Sequence, residues 1–193
     1  MKSERHVRFV ILIRYFKKQP TEITMLRNLL ILTVCCTVTV FAQRTVQPTD
    51  TILISGNIKR ERVITTAQLE GMKSVPLQNH VITNHRGEVK DTLTGLQGVS
   101  LKTILDSVDF VYEKPKELSK YAIVLVATDG YTVVYSWNEL FNSPTGNSVY
   151  LLTQVNGKPL HSCPDRLYSL CVSDVNSGRR FVIGLSAIKI KQL

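Results

Sequence analysis

Short runs of apolar, largely β-branched residues separated by turn-forming residues dominate the chain from Thr51 onward. Runs of this length and composition are typical of strands rather than helices. The pattern predicts about eight strands. The clearest of them are Thr51 to Gly56, Val63-Ile64, Ala122 to Thr128, Tyr131 to Ser136, Val149 to Val155, Arg166 to Ser173, Arg180 to Leu185 and Ile188 to Lys191. The excess of strand predicts an α+β domain that is rich in β-structure, with mixed sheets.

Two dipeptides between these runs are strong turn signals. Asp129-Gly130 predicts a two-residue hairpin, in which Asp129 tolerates a positive φ. Asn156-Gly157 predicts a second turn, and Pro159 excludes a central strand directly after it. Gly95 and Gly98 are expected to frame a further turn.

Helical spacing occurs in one longer stretch and two short ones. The longer stretch has apolar residues at i, i+3, i+4 and i+7, namely Leu101, Ile104, Leu105 and Val108. It predicts the main helix, with Ser100 as its N-cap. Shorter helical turns are predicted from Ala67 to Met72, behind Thr65 or Thr66, and after Ser136, whose spacing to Glu139 is that of a capping box.

The N-terminal region has a different character. After Met25 and Arg27, an apolar run extends from Leu29 to Val40 and ends in Val40-Phe41-Ala42. A charged, an apolar and a small-residue region in this order are typical of a cleavable secretory signal, with cleavage expected after Ala42. The run of about 12 residues is short for a membrane span, although an uncleaved N-terminal anchor stays open. Whether translation starts at Met1 or at Met25 also stays open.

These features predict residues 1–42 as a signal region, 43–50 as a short linker and 51–193 as one domain. We expect an exported protein, periplasmic or extracellular, with no stable membrane span after cleavage. Residues 1–42 hold 7 of the 24 Lys and Arg and 2 of the 15 Asp and Glu, so the remainder has 17 against 13 and a net charge of +4. No basic cluster with interleaved aromatics remains, so nucleic acid is not an expected partner.

Two cysteines lie beyond the signal region, Cys163 and Cys171. If the segment between them is a strand, their Cα atoms are roughly 25 Å apart. A disulfide needs a separation under about 7 Å, so we expect no disulfide. Metal binding by His161 and Cys163 is not expected either, because two ligands are too few for a structural zinc site.

The order of motifs resembles the oxidoreductase molybdopterin-binding domain of the sulfite-oxidase family. The resemblance rests on Gly98-Val99-Ser100-Leu101, Asp129-Gly130-Tyr131, Asn156-Gly157-Lys158-Pro159-Leu160 and Pro164-Asp165-Arg166-Leu167, in this order. It extends over most of residues 51–190 and implies the fold of that domain, with molybdopterin as a possible cofactor.

The chain departs from the family at the metal ligand. In catalytic members a cysteine thiolate binds molybdenum, and the matching stretch here resembles Val81 to Gly87, which contains no cysteine. A threonine hydroxyl or an asparagine amide does not replace a soft anionic sulfur. The resemblance therefore implies a domain without a catalytic residue of this kind, and we expect no metal and no bound cofactor.

The resemblance leaves six candidate ligand-binding residues, which are Asn84, His85, Arg86, Asp129, Tyr131 and Arg166. Arginines at such positions suit an anionic group, which they bind through paired hydrogen bonds. Ordinary structural roles are the alternatives: a solvated loop for His85, surface ion pairs for the arginines and a hairpin turn for Asp129.

Three functions remain open at this stage. The first is a non-catalytic module that binds a small molecule or an envelope protein. The second is a molybdenum-cofactor-dependent oxidoreductase of the sulfite-oxidase family, and the third is a ligand-free structural module of the cell envelope. Likeness of fold alone does not decide among them, so whether the protein is an enzyme is left undecided.

Overall fold

The computed structural model describes residues 45–193, and the predicted signal region lies outside this range. Within it the chain forms thirteen strands, three short α-helices and four 3₁₀ helices. The strands are β1 Thr51–Gly56, β2 Arg62–Thr65, β3 Val75–Leu77, β4 His80–Thr83, β5 Val89–Leu93, β6 Leu96–Ser100, β7 Tyr121–Ala127, β8 Thr132–Ser136, β9 Val149–Val155, β10 Lys158–Pro159, β11 Tyr168–Cys171, β12 Val182–Ile183 and β13 Leu185–Gln192. The α-helices are α1 Thr66–Glu70, α2 Leu101–Leu105 and α3 Trp137–Phe141, and the 3₁₀ helices are Pro115–Lys120, Pro144–Ser148, Leu160–Ser162 and Ser177–Arg179.

The strands form two larger sheets and a separate hairpin. The first sheet has the order β2-β1-β13-β7-β8, and the second has the order β12-β11-β9-β6-β3 with β10 paired to β9. β1 and β13 run parallel, whereas the other pairs are antiparallel. β4 and β5 pair only with each other. Buried residues from both larger sheets belong to one hydrophobic core, so the predicted β-rich α+β class is confirmed.

The predicted main helix is shorter than its spacing indicates. α2 ends at Leu105, and the chain then bends so that Phe110 forms a β-bridge with Ile58. Val108 is buried from a turn rather than from a helix. Ser100 occupies the N-cap position of α2, as predicted, but its side chain makes no capping hydrogen bond. It is also the last residue of β6, where it pairs with Tyr150.

Positive φ angles explain other differences from the predicted strands. Arg166 has φ 55° and Gly184 has φ 69°, and extended structure is interrupted at both positions. β11 therefore begins only at Tyr168, and β12 stops at Ile183. At the Asp129-Gly130 turn the positive φ of 85° belongs to Gly130, and Asp129 is not among the described residues with positive φ. The prediction for Asp129 was wrong in this respect.

The segment between Cys163 and Cys171 is extended only from Tyr168 onward, so the spacing argument of a continuous strand does not apply. Both cysteines are buried. The absence of a disulfide stays a prediction. Within residues 45–193, none of the helices has the length and apolar composition that a membrane crossing requires.

Candidate functional site

The turn of the β4–β5 hairpin is folded by one amide side chain. Asn84 Oδ1 accepts hydrogen bonds from the backbone N–H groups of Arg86 at 2.9 Å and Glu88 at 3.0 Å. Its Nδ2 donates to Glu88 Oε2 at 2.7 Å, and Gly87 supplies a φ of 81°. The amide of Asn84 is therefore occupied in shaping the turn, as is usual for asparagine in tight loops.

The 3₁₀ helix Ser177–Arg179 is held against β4 by a buried hydroxyl. Ser177, 1% exposed, donates to the carbonyl oxygen of Val81 at 2.5 Å and accepts from the N–H of Thr83 at 3.2 Å. Gly178 packs so closely that a Cβ atom there would overlap the carbonyl oxygen of Thr83. These contacts fix the position of Arg179 relative to the hairpin.

Tyr131 approaches the same 3₁₀ helix from the β7–β8 turn. Asp129 Oδ1 accepts a hydrogen bond from the N–H of Tyr131 at 2.8 Å. The hydroxyl of Tyr131 then donates to the carbonyl oxygen of Arg179 at 2.6 Å. Asp129 thus positions Tyr131, and Tyr131 in turn holds Arg179.

The three segments enclose a pocket of about 550 Å³, which we call the hairpin pocket. Its apolar lining comes from Ile82, Phe181 and Ile183. Its polar lining comes from Thr83, Asn84, His85, Lys90, Asp91, Tyr131 and Arg179. A pocket of this size with a mixed lining suits a small molecule.

The structure brings three of the six candidate residues together at this pocket, which are Asn84, His85 and Tyr131. Arg86, Asp129 and Arg166 do not line it. Arg166 instead forms an ion pair with Asp50, in the residues predicted as a linker.

Sequence reasoning missed three charged residues of the pocket, Lys90, Asp91 and Arg179. Lys90 and Asp91 lie on β5, whose polar composition gives little strand signal. For Arg179, the available signal was its position in a pair of adjacent arginines, Arg179-Arg180, within a turn-rich segment.

The two adjacent arginines differ in their partners. Arg180 donates a hydrogen bond from Nε to Asp174 Oδ2 at 2.7 Å and forms an ion pair with Glu139. Its guanidinium also lies 4.9 Å from the ring centroid of Tyr135. Among residues 45–193, in contrast, neither Arg179 nor Lys90 has a carboxylate within 4.0 Å of its charged nitrogen atoms. Their positive charges therefore remain available to a ligand.

The donors around the hairpin pocket do not fit a thiolate-held molybdenum. The lining contains oxygen and nitrogen donors but no cysteine. Cys163 lines an adjacent pocket of about 320 Å³ that shares Asp91, Phe181 and Ile183 with the hairpin pocket. Burial raises the pKa of Cys163 and also that of Cys171, which keeps both thiols protonated.

No cluster of metal-binding side chains occurs elsewhere in the described part of the chain. Across residues 45–193, no three His, Cys, Asp or Glu side chains are grouped closely enough to hold an ion.

Comparison with solved structures finds a similar fold in the crystal structure of the sulfane dehydrogenase SoxCD from Paracoccus pantotrophus. The TM-score is 0.54 at 15% sequence identity, and the match covers 74% of this chain and 39% of that chain. No family model and no curated protein matches the sequence. This chain thus spans well under half of the length of the chain it resembles. The similarity confirms the predicted fold class: the domain has a distant molybdopterin oxidoreductase-like fold of the sulfite-oxidase type.

Proposed function

We propose that the domain is a non-catalytic binding module that holds a small anionic molecule in the hairpin pocket. One observation carries the proposal: Lys90 and Arg179 both line the pocket, and neither has a carboxylate partner within 4.0 Å in residues 45–193. Arginine binds carboxylate and phosphate groups through paired hydrogen bonds, and lysine binds them as a point charge.

The remaining lining sets the kind of anion. Ile82, Phe181 and Ile183 offer apolar contact, so the ligand carries a small apolar part beside its charged group. Asp91 is the one carboxylate of the lining and opposes a ligand with several negative charges. An anion of low charge with a short carbon skeleton suits this combination.

Binding without redox catalysis is supported by the donor set. A catalytic site of the sulfite-oxidase type is expected to need a thiolate beside the metal, and the pocket offers none. A molybdenum-cofactor-dependent oxidoreductase is the second candidate, because the fold is similar to that of a sulfane dehydrogenase. The pocket would then hold the cofactor instead of a free anion.

The proposed setting is the periplasm or the extracellular space. It rests on the signal-like order of residues 25–42, which lie outside the described part of the chain. The ligand would then be a molecule of that compartment, or part of an envelope protein presented to the pocket. Sequencing the N-terminus of the processed protein tests export, since retention of residues 25–42 would contradict it.

Isothermal titration with a panel of anions tests the binding proposal. We expect acetate or butyrate to bind saturably and more tightly than phosphate or sulfate, which carry more negative charge and no apolar part. The double variant Lys90→Gln, Arg179→Gln should lose affinity by about a hundredfold or more, because it removes two charged hydrogen bonds worth about 1.5–3 kcal/mol each.

The matched control is Arg86→Gln, which removes a charge from the same hairpin but outside the pocket lining. It should bind the anion like the unchanged protein. Equal losses in the control and in the double variant would contradict the proposal, and so would the absence of binding across the panel.

A further inference from the structure

Two further pockets adjoin each other and share no lining residue with the hairpin pocket. The first, the aromatic pocket, has a volume of about 520 Å³ and includes Phe110, Tyr112, Trp137 and Phe141 in its lining. The second, the basic pocket, has a volume of about 450 Å³ and is lined by Lys59, Arg60, Arg62, Ser107 and Asp109. Lys59 and Asp109 line both pockets, so the two pockets are neighbours, and we refer to them together as the depression.

The aromatic pocket is preformed by packing between rings. Trp137 and Phe141 lie one helical turn apart on α3 and stack with ring centroids 5.1 Å apart. Phe110 meets Phe141 edge to face at 6.3 Å, and the bridge between Ile58 and Phe110 holds the ring in place. Tyr112 is 45% exposed, so part of this aromatic surface faces solvent. Such a lining binds an apolar or aromatic group.

The basic pocket carries cations that lack acidic partners. Arg62 donates from Nη1 to the carbonyl oxygen of Ser107 at 2.9 Å and also contacts its hydroxyl, and both partners are neutral. In residues 45–193 no carboxylate lies within 4.0 Å of the charged nitrogens of Lys59, Arg60 or Arg62. Three cations and one carboxylate give this lining a formal charge of +2.

The boundary between the two pockets is fixed by the backbone. The N–H of Lys59 donates to the carbonyl oxygen of Asp109 at 2.8 Å, beside the bridge of Ile58 with Phe110. The cations are therefore attached to the same segment that presents Phe110 to the aromatic pocket. A ligand that occupies both pockets would need an apolar body and a negative head group close together.

We infer that this depression is a second binding site, which takes an amphipathic anion. The aryl or alkyl body lies in the aromatic pocket, and the carboxylate, sulfonate or phosphate group lies against Lys59, Arg60 and Arg62. Asp106 and Asp109, which also line the aromatic pocket, restrict the negative charge of the ligand to its head group. The inference is independent of the hairpin pocket and of the function proposed for it.

Trp137 provides a direct test, because it is the only tryptophan of the chain. Its fluorescence is measured in the full-length protein while 4-phenylbutyrate is added, and then while the uncharged 4-phenylbutan-1-ol is added. We expect a saturable change with the acid. The affinity for the alcohol should be weaker by a factor of about ten or more, because the alcohol lacks the charged hydrogen bonds.

Variants that are expected to change the Kd in opposite directions identify the site. Lys59→Gln with Arg60→Gln should raise the Kd for the acid by about tenfold and leave that for the alcohol unchanged. Asp109→Asn should lower the Kd for the acid, since it removes a repulsive charge. The matched control is Lys189→Gln with Lys191→Gln, two exposed lysines on β13 that should have no effect.

Three outcomes would overturn the inference. They are equal affinity for the acid and the alcohol, equal weakening by the control pair, and no saturable change in Trp137 fluorescence. Thermal unfolding of each variant shows whether it is folded, and the opposite sign expected for Asp109→Asn separates a binding effect from a loss of structure.

Discussion

At the scale of single residues, the hairpin pocket depends on how Tyr131 and His80 are held. Tyr131 is 41% exposed, yet its hydroxyl donates to the backbone of Arg179 at 2.6 Å. His80 begins β4, and its Nε2 atom is buried without a hydrogen-bond partner in the described part of the chain. Tyr131 links the β7–β8 turn to Arg179, a cation of the pocket lining, and His80 makes the stability of β4 sensitive to acid.

Replacing Tyr131 with phenylalanine removes the hydroxyl that holds Arg179. We expect a loss of about 1 kcal/mol in the free energy of unfolding and a several-fold weaker anion affinity, because Arg179 is then less well positioned. Urea unfolding and isothermal titration measure the two quantities. The control is Tyr150→Phe, which removes a hydroxyl that donates to the backbone of Asn147 and lies outside the hairpin and aromatic pockets. Unchanged affinity in Tyr131→Phe would contradict this role of the hydroxyl.

His80 predicts a dependence of stability on pH. Burial lowers the pKa of His80 below its ordinary value of 6.5, although the negative charge of Asp174 acts to raise it. The unfolded chain therefore binds a proton at higher pH than the folded chain does. The contribution of neutral His80 to the free energy of unfolding is fully present above pH 6.5. It is lost as the pH falls through the lower pKa of the folded state. In His80→Phe the loss of stability between pH 7.5 and pH 5.5 should be smaller than in the unchanged protein. An equal loss would contradict this account.

At the scale of elements, the contact between β4 and the 3₁₀ helix Ser177–Arg179 builds the pocket. The hydroxyl of Ser177 bonds to the backbone of Val81 and Thr83, across 94 or more positions of sequence. A local pattern cannot reveal this pairing, because it arises only when the chain has folded. The turn at Asp129-Gly130 between β7 and β8, in contrast, was predicted from its own residues.

Gly178 tests this contact. A Cβ atom at this position would overlap the carbonyl oxygen of Thr83, so Gly178→Ala should cost about 2 kcal/mol of stability and weaken anion binding. At Gly71 the added Cβ would meet its nearest atom at 3.4 Å, so Gly71→Ala serves as the control. Thermal unfolding compares the two variants. Equal stability of Gly178→Ala and Gly71→Ala would show that the 3₁₀ helix is not packed closely against β4.

At the scale of the whole molecule, the sequence predicts the class of fold better than the site. The apolar runs and the Asn156-Gly157 turn predicted most of the two sheets, because these signals are local. The polar strand β5, which contributes Lys90 and Asp91, has no alternating apolar face and was not predicted. Asn84, His85 and Tyr131 were identified from the resemblance, whereas Arg179 reaches the pocket only through long-range contacts.

The central claim is that the domain binds a small anion without a molybdenum centre. The most direct test is the molybdenum content per chain of protein purified from cells that synthesise the molybdopterin cofactor. We predict far less than one metal atom per chain, because the hairpin pocket contains no thiolate ligand. One molybdenum atom per chain that is retained through purification would contradict the account and favour the oxidoreductase.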